Sequence, residues 1–205
     1  MKHKTEQEAF WAGEFGDNYI DRNKGKKLLA SNLNFFNKSL QYVGNIKSCI
    51  EFGANIGMNL QALNLIFPEA KLSGVEINKE AHQYLSELIG ENNAFHSSIF
   101  DFNTEENFDL SLIKGVLIHI NPKMLKEVYK KLYKSSKKYI LIAEYYNPVP
   151  TKIEYRGHKD KLFKRDFAGE FLDMFPETTL IDYGFVYHRD YAFPQDDINW
   201  FLIRK

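Results

Sequence analysis

The stretch that most constrains this chain is Cys49-Ile50-Glu51-Phe52-Gly53-Ala54-Asn55-Ile56-Gly57-Met58-Asn59-Leu60. An apolar strand, 48–52, enters a tight turn with glycines at 53 and 57. Ile56, Leu60, Leu63 and Phe67 then recur at helical spacing. Glycine admits positive φ and lets a ligand approach the backbone with no Cβ in the way. The helix after the turn is expected to offer unpaired N–H groups and a positive dipole end. A second apolar run, 72–77, carries Glu76 nineteen residues beyond Gly57, where a carboxylate can accept from two ribose hydroxyls. Strand, glycine turn, helix, strand and acid make a nucleoside-binding βαβ unit.

The spacing also bears on which nucleoside. A dinucleotide fingerprint reads Gly-x-Gly-x-x-Gly, whereas Asn55 stands here where the middle glycine would be. Glu51, two residues before the first glycine, would repel a pyrophosphate and suits a ligand with an ammonium part. NAD-dependent redox chemistry is disfavoured on both grounds. The 205 residues, 44% hydrophobic, suit one globular domain with a sizeable core. Zero net charge argues against a nucleic-acid partner. The single cysteine, Cys49, lies in an apolar strand and reads as core filler, so a reduced cytoplasmic setting is expected. No apolar run approaches membrane-spanning length, and no signal-peptide core is found at the start.

Four segments are expected. Residues 1–44 form an N-terminal helical segment that packs on the domain or covers the ligand, opening with a Thr5/Glu8 capping box and breaking near Gly13 or Gly16. As a lid it brings Tyr19, Arg22 or Asn23 to the ligand. Residues 45–145 hold the binding core. After Glu76 and Ile77, Asn78 caps a helix ended by Gly90. A short strand over 94–99 follows, with a ligand contact divided between Ser98-Ile99 and Asp101. A buried strand runs to Ile113, then a turn at Lys114-Gly115 leads to His119, and Pro122 opens a helix. The strand 137–145 ends near Glu144, at the carboxyl end where an α/β sheet opens its crevice. Residues 146–176 are a long connection and a helix, read as a substrate-binding insertion. Arg156, His158, Lys159, Lys161, Lys164 and Arg165 form a basic cluster suited to phosphate or carboxylate. Residues 177–205 read as a hairpin whose acids, Asp196 and Asp197, make no metal cage.

Glu-x-Gly-x-x-x-Gly at 51–57 resembles motif I of class I S-adenosylmethionine-dependent methyltransferases, and Phe108-Asp-Leu followed by Val116-Leu-x-His resembles their motif IV. Phe-Trp-Ala-Gly-Glu-Phe-Gly-Asp, Ala-Glu-Tyr-Tyr-Asn-Pro and Tyr-Arg-Gly-His extend the likeness to the pseudaminic acid biosynthesis-associated methylase family, over nearly the whole chain. The resemblance implies a Rossmann-like, mostly parallel seven-stranded sheet with helices on both faces and an antiparallel C-terminal strand. It implies S-adenosylmethionine as cofactor, S-adenosylhomocysteine as product, no metal, and an anionic sugar or CMP-sugar as acceptor. The cofactor residues are then Tyr19, Arg22, Asn23, Glu51, Gly53, Ala54, Asn55, Gly57, Asn59, Glu76, Ile77, Ser98, Ile99, Asp101, Lys114 and Gly115. Candidate bases, in order, are His119, Glu144 and His158. Tyr146, Tyr155, Arg156, Lys159 and Arg165 are candidates for the acceptor. The acceptor atom, oxygen or nitrogen, and the oligomeric state are left open.

Overall fold

The computed structural model describes residues 3–205. The chain opens with two short helices, α1 (Glu6–Ala12) and α2 (Glu14–Ile20), and a longer α3 (Lys26–Ser39). Gly13 ends α1 and begins α2, so the expected break falls there. The capping box also forms: Thr5 accepts from the Glu8 amide while the Glu8 carboxylate accepts from the Thr5 amide. Then β1 (Ser48–Phe52), α4 (Met58–Ile66), β2 (Lys71–Glu76), α5 (Lys79–Ile89), β3 (Ala94–His96) and β4 (Phe108–Lys114) alternate. They are followed by α6 (Leu125–Ser135), β5 (Ser136–Glu144), β6 (Thr151–Tyr155), β7 (His158–Lys164), α7 (Phe167–Met174), β8 (Thr179–Val186) and β9 (Ile198–Arg204).

Seven strands form one sheet in the order β3-β2-β1-β4-β5-β9-β8. β1 pairs in parallel with both β2 and β4, so the strand order reverses beside β1 and opens a crevice above its carboxyl end. β9 runs antiparallel to β5 and β8, as expected for the C-terminal strand. Alternation along the strands sends side chains to two cores. On one face Cys49, Leu72, Leu110 and Leu141 cluster with Phe35, Phe36, Leu60 and Leu63 from α3 and α4. On the other, Ile50, Phe52, Ile113 and Ile140 cluster with Val128, Tyr129 and Leu132 of α6 and Phe171 of α7. Each such side chain contributes roughly 1.5–3 kcal/mol by leaving water. The same alternation puts Glu51 on the α4 side, where it is fully buried. No helix among the described residues is long and apolar enough to cross a membrane.

Two expectations need correction. The connection after β5 is not irregular: β6 and β7 pair as a separate antiparallel hairpin. Arg156 and Gly157 form its two-residue turn, with φ of 51° and 82°, the positive pair that matches strand twist in tight hairpins. The third strand also stops at His96, and residues 98–101 turn away from the sheet.

Candidate functional site

A cavity of about 550 Å³ opens over the carboxyl ends of β1, β2 and β4. Its floor is the glycine turn. Gly53 (φ 75°) and Asn55 (φ 49°) take left-handed backbone there, and a Cβ at Gly53 would stand 2.5 Å from Val116 Cγ2. Gly57 (φ 84°) serves packing: a Cβ would meet Leu88 Cδ2 at 2.6 Å, so α5 lies close above the start of α4.

The amides of this turn are already used. Gly53 and Ala54 donate to the Val75 carbonyl, at 2.8 and 3.0 Å, and Gly57 donates to that of Ala54. Asn55 donates to Glu76 at 2.7 Å, and Ile56 donates to the Asn55 side chain. The turn therefore presents no nest of free N–H groups of the kind that holds a pyrophosphate. The free donors expected of the helix concern α4, which begins only at Met58. Glu76 spends one lone pair of each oxygen, on Asn55 and Asn78, and keeps one on each for further donors. Burial raises its carboxyl above the ordinary value, against the Asn78 and Asn55 amides.

Beside the turn lies a pocket of unpaired polar atoms. Glu51 accepts from Asn59 Nδ2 at 2.6 Å, but its second oxygen, Oε2, is buried with no partner. Asn59 Oδ1 and Gln195 Oε1 are likewise sealed and unpartnered, and both residues line the cavity. Gln195 is held by Asn32, to whose oxygen it donates at 3.0 Å. Lys114 lines the same pocket with its ammonium 5.3 Å from the Phe35 ring centre. Burial lowers the Lys114 pKa, opposed by Glu51, Asp196 and Glu144. Burial pushes Glu51 up to about 8, against the Asn59 hydrogen bond and the Lys114 charge.

Opposite, the N-terminal helices close the cavity. Glu8 binds the Ser98 hydroxyl, and Ser98 in turn accepts from the Phe100 amide at 3.1 Å. Asn78 donates to Asp17 at 2.6 Å and to the Trp11 carbonyl. Gln7 donates to the Asp160 carbonyl of the hairpin at 2.9 Å. Tyr19, Arg22 and Asn23 line the cavity from this side, and burial pushes the Tyr19 phenol up to about 12.

His119 is buried at the cavity wall, between the rings of Trp11 (4.6 Å between centres) and Tyr155 (4.9 Å). Its Nδ1 lies 2.6 Å from the Lys161 carbonyl. A carbonyl only accepts, so Nδ1 carries the proton and Nε2 is left with a free lone pair. Burial lowers the ring's pKa to about 4, against that carbonyl, and keeps it neutral at pH 7.

Most of the expected cofactor residues meet here. Gly53, Ala54, Asn55, Asn59, Glu76, Ile77, Ser98, Ile99, Lys114 and Gly115 all line the cavity. Glu51 sits just behind Asn59, and Gly57 one layer below. Asp101 instead pairs with Lys4 at 2.8 Å on the surface, whereas Ser98 and Ile99 line the cavity. Glu144 does not face the cavity: buried, it accepts the amides of Val116, Leu117 and Ile118.

The basic cluster disperses. Of its six members Arg156 alone lines the cavity, its guanidinium 5.6 Å from the Tyr155 ring centre. His158 packs on Phe10 and Phe15, Lys161 reaches Glu6, and Arg165 pairs with Glu170 at 2.6 Å. Lys159 is exposed, and Tyr146 lies outside the cavity near Phe201. Along the strands of the hairpin neighbouring side chains point to opposite faces, which is why a dense run in sequence does not become a cluster in space. Trp11, Asn32, Asn78, Gln195 and Asp196 line the site without having been expected there. Asp196 is the one with a sequence signal, an acid next to the terminal strand; Tyr145 donates to it at 2.8 Å. No group of three or more His, Cys, Asp or Glu among the described residues is placed to hold a metal ion.

No protein-family model matches the chain, and no curated protein sequence matches it. Solved structures do. The 1,6-didemethyltoxoflavin-N1-methyltransferase of Burkholderia thailandensis, with bound 1,6-didemethyltoxoflavin and S-adenosylhomocysteine, superposes with a TM-score of 0.73 at 16% identity, over 100% of this chain and 91% of that one. A SAM-dependent methyltransferase of Leishmania major gives 0.68 at 12% identity over 96% and 81%. An O-methyltransferase from a trans-AT PKS multienzyme of Brevibacillus brevis, in complex with S-adenosyl-L-homocysteine, gives 0.64 at 11% identity over 100% and 81%. The chain has the Rossmann-like fold that these methyltransferases share.

Proposed function

We propose that this protein is an S-adenosylmethionine-dependent methyltransferase acting on a small molecule. The observation that carries this reading is the pair of orphaned acceptors on the cavity wall, Asn59 Oδ1 and Gln195 Oε1, with Lys114 on the same wall and the unpartnered Glu51 Oε2 just behind Asn59. Buried acceptors without donors are costly unless a ligand completes them. Acceptors for an ammonium next to a cation for a carboxylate are the complement of an α-amino acid group. Glu76, with a lone pair left on each oxygen, suits a ribose diol beside it, and Ser98-Ile99 the base. A turn whose amides are all spent suits a nucleoside without phosphates and disfavours NAD.

S-adenosylmethionine supplies a methyl group activated on a sulfonium. The work left to the chain is to align an acceptor, exclude water and take up a proton. His119 Nε2 is the group we assign to receive or orient the acceptor's proton. Trp11 Nε1, buried without a partner, is a donor in reserve on the same wall. For the acceptor we favour an anionic sugar of the nonulosonic, pseudaminic acid type, free or as its CMP ester. Support for this comes from the motif resemblance and from Arg156, a cation beside the Tyr155 face at the cavity wall.

Calorimetric titration with S-adenosylmethionine, S-adenosylhomocysteine and NAD tests the cofactor. The expected result is micromolar binding of the two sulfur nucleosides and none of NAD. Binding of NAD alone, or silence toward all three from folded protein, would overturn the reading.

A further inference from the structure

We propose that Glu144 is a positioning residue that sets the orientation of His119 through the turn between them. The inference rests on the role given to His119 above. After β4 the chain turns through residues 115–119 inside the protein. The outer two amides have backbone partners: Gly115 donates to Ala143 and His119 to Val116. The three between them have only one carboxylate. Val116 and Leu117 donate to Glu144 Oε1 at 2.9 and 2.8 Å, and Ile118 donates to Oε2 at 3.4 Å.

Three consecutive amides converging on one anion form the kind of nest that proteins use to hold phosphates or carboxylates, here filled from within. Glu144 thereby fixes the backbone from which His119 projects. The Lys161 carbonyl of β7 fixes the far side of the ring. With the carboxylate and the carbonyl both in place, the imidazole has one orientation and one tautomer, with Nε2 bare at the cavity wall. Glu144 is not itself a base for the acceptor, since its oxygens are committed to amides and the residue does not line the cavity.

The substitution Glu144→Gln tests this. Glutamine keeps the shape and one carbonyl, enough for Val116 and Leu117, but turns an NH₂ toward the Ile118 amide, donor against donor. The readout is the ring nitrogens of His119 in ¹⁵N-labelled protein, assigned by loss of the signals in His119→Gln. Wild type is expected to show a protonated Nδ1 and a bare Nε2. In Glu144→Gln the two tautomers should mix and the signals broaden, while S-adenosylhomocysteine still binds. An unchanged, sharp Nδ1–H signature in a folded Glu144→Gln protein overturns the proposal. If that variant does not fold, Glu144→Asp keeps the charge and retracts it by one methylene. It should lose the long Ile118 bond first and shift the ring signals part of the way; no shift overturns the proposal equally. Failure of wild type to bind S-adenosylhomocysteine would sink the methyltransferase reading instead, leaving the ring measurement intact.

Discussion

Replacing Glu51 by glutamine should make the protein more stable and a poorer binder, with a pH signature that identifies the cause. Glu51 is fully buried, with one oxygen on Asn59 and the other unpartnered. Burial raises its carboxyl from an ordinary 4.5 to about 8. Between those values the folded state holds a proton that the unfolded chain has released, so stability falls as pH rises through this window. The fall is about 1.4 kcal/mol for each pH unit, hence about 3 kcal/mol at pH 7 and on the order of 5 kcal/mol above pH 8. Glutamine keeps the Asn59 hydrogen bond and carries no such burden. Wild type and Glu51→Gln should therefore melt together near pH 4.5 and diverge above it. At pH 7 the variant should lead by about 6–12 °C for a chain of this size. Calorimetric melting at half-unit pH steps measures this. A gap that does not change with pH, or a variant less stable at pH 8, would refute the argument that desolvation governs Glu51. S-adenosylmethionine should narrow the gap, because an ammonium beside Glu51 favours its charged form.

Removing the imidazole with His119→Ala should lower the rate of methyl transfer to whichever acceptor is identified by about 10²-fold. That is the low end for general acid–base catalysis, as suits so weak a base. Calorimetry should find affinity for S-adenosylhomocysteine nearly intact; its loss in a folded variant would move His119 into the cofactor pocket. Gly57→Ala places a Cβ 2.6 Å from Leu88 Cδ2 on left-handed backbone. It should destabilise the fold by about 1–3 kcal/mol, read by denaturant titration, with α5 displaced from the glycine turn.

The parts of the molecule that were legible in the sequence are those where local chemistry and burial agree. β1, β2, β4 and β5 are largely buried on both faces, and their apolar residues, densest in Tyr139–Ala143 of β5, mark them as strands. Gly53 and Gly57 marked the turn, where both take positive φ and leave no room for a Cβ, and Glu76 followed from the strand's end. The hairpin was hidden because β6 stands largely in solvent, so no apolar alternation betrays it. The Arg156-Gly157 pair was the available signal, and it was outweighed by the charge around it. Glu144 was placed correctly at a strand's end, yet a strand end does not say whether a carboxylate faces the ligand or the neighbouring loop. Trp11, Asn32 and Gln195 reach the cavity through tertiary packing of both termini, which no local pattern encodes.

The β6–β7 hairpin has one more consequence. Besides the Arg156 and Tyr155 side chains it gives the site two backbone anchors: the Lys161 carbonyl orients His119, and the Asp160 carbonyl receives Gln7. A peptide carbonyl survives almost any change of side chain. Side chains on this arm can therefore change without releasing the histidine or the N-terminal helices, because what anchors both is carried by the peptide itself.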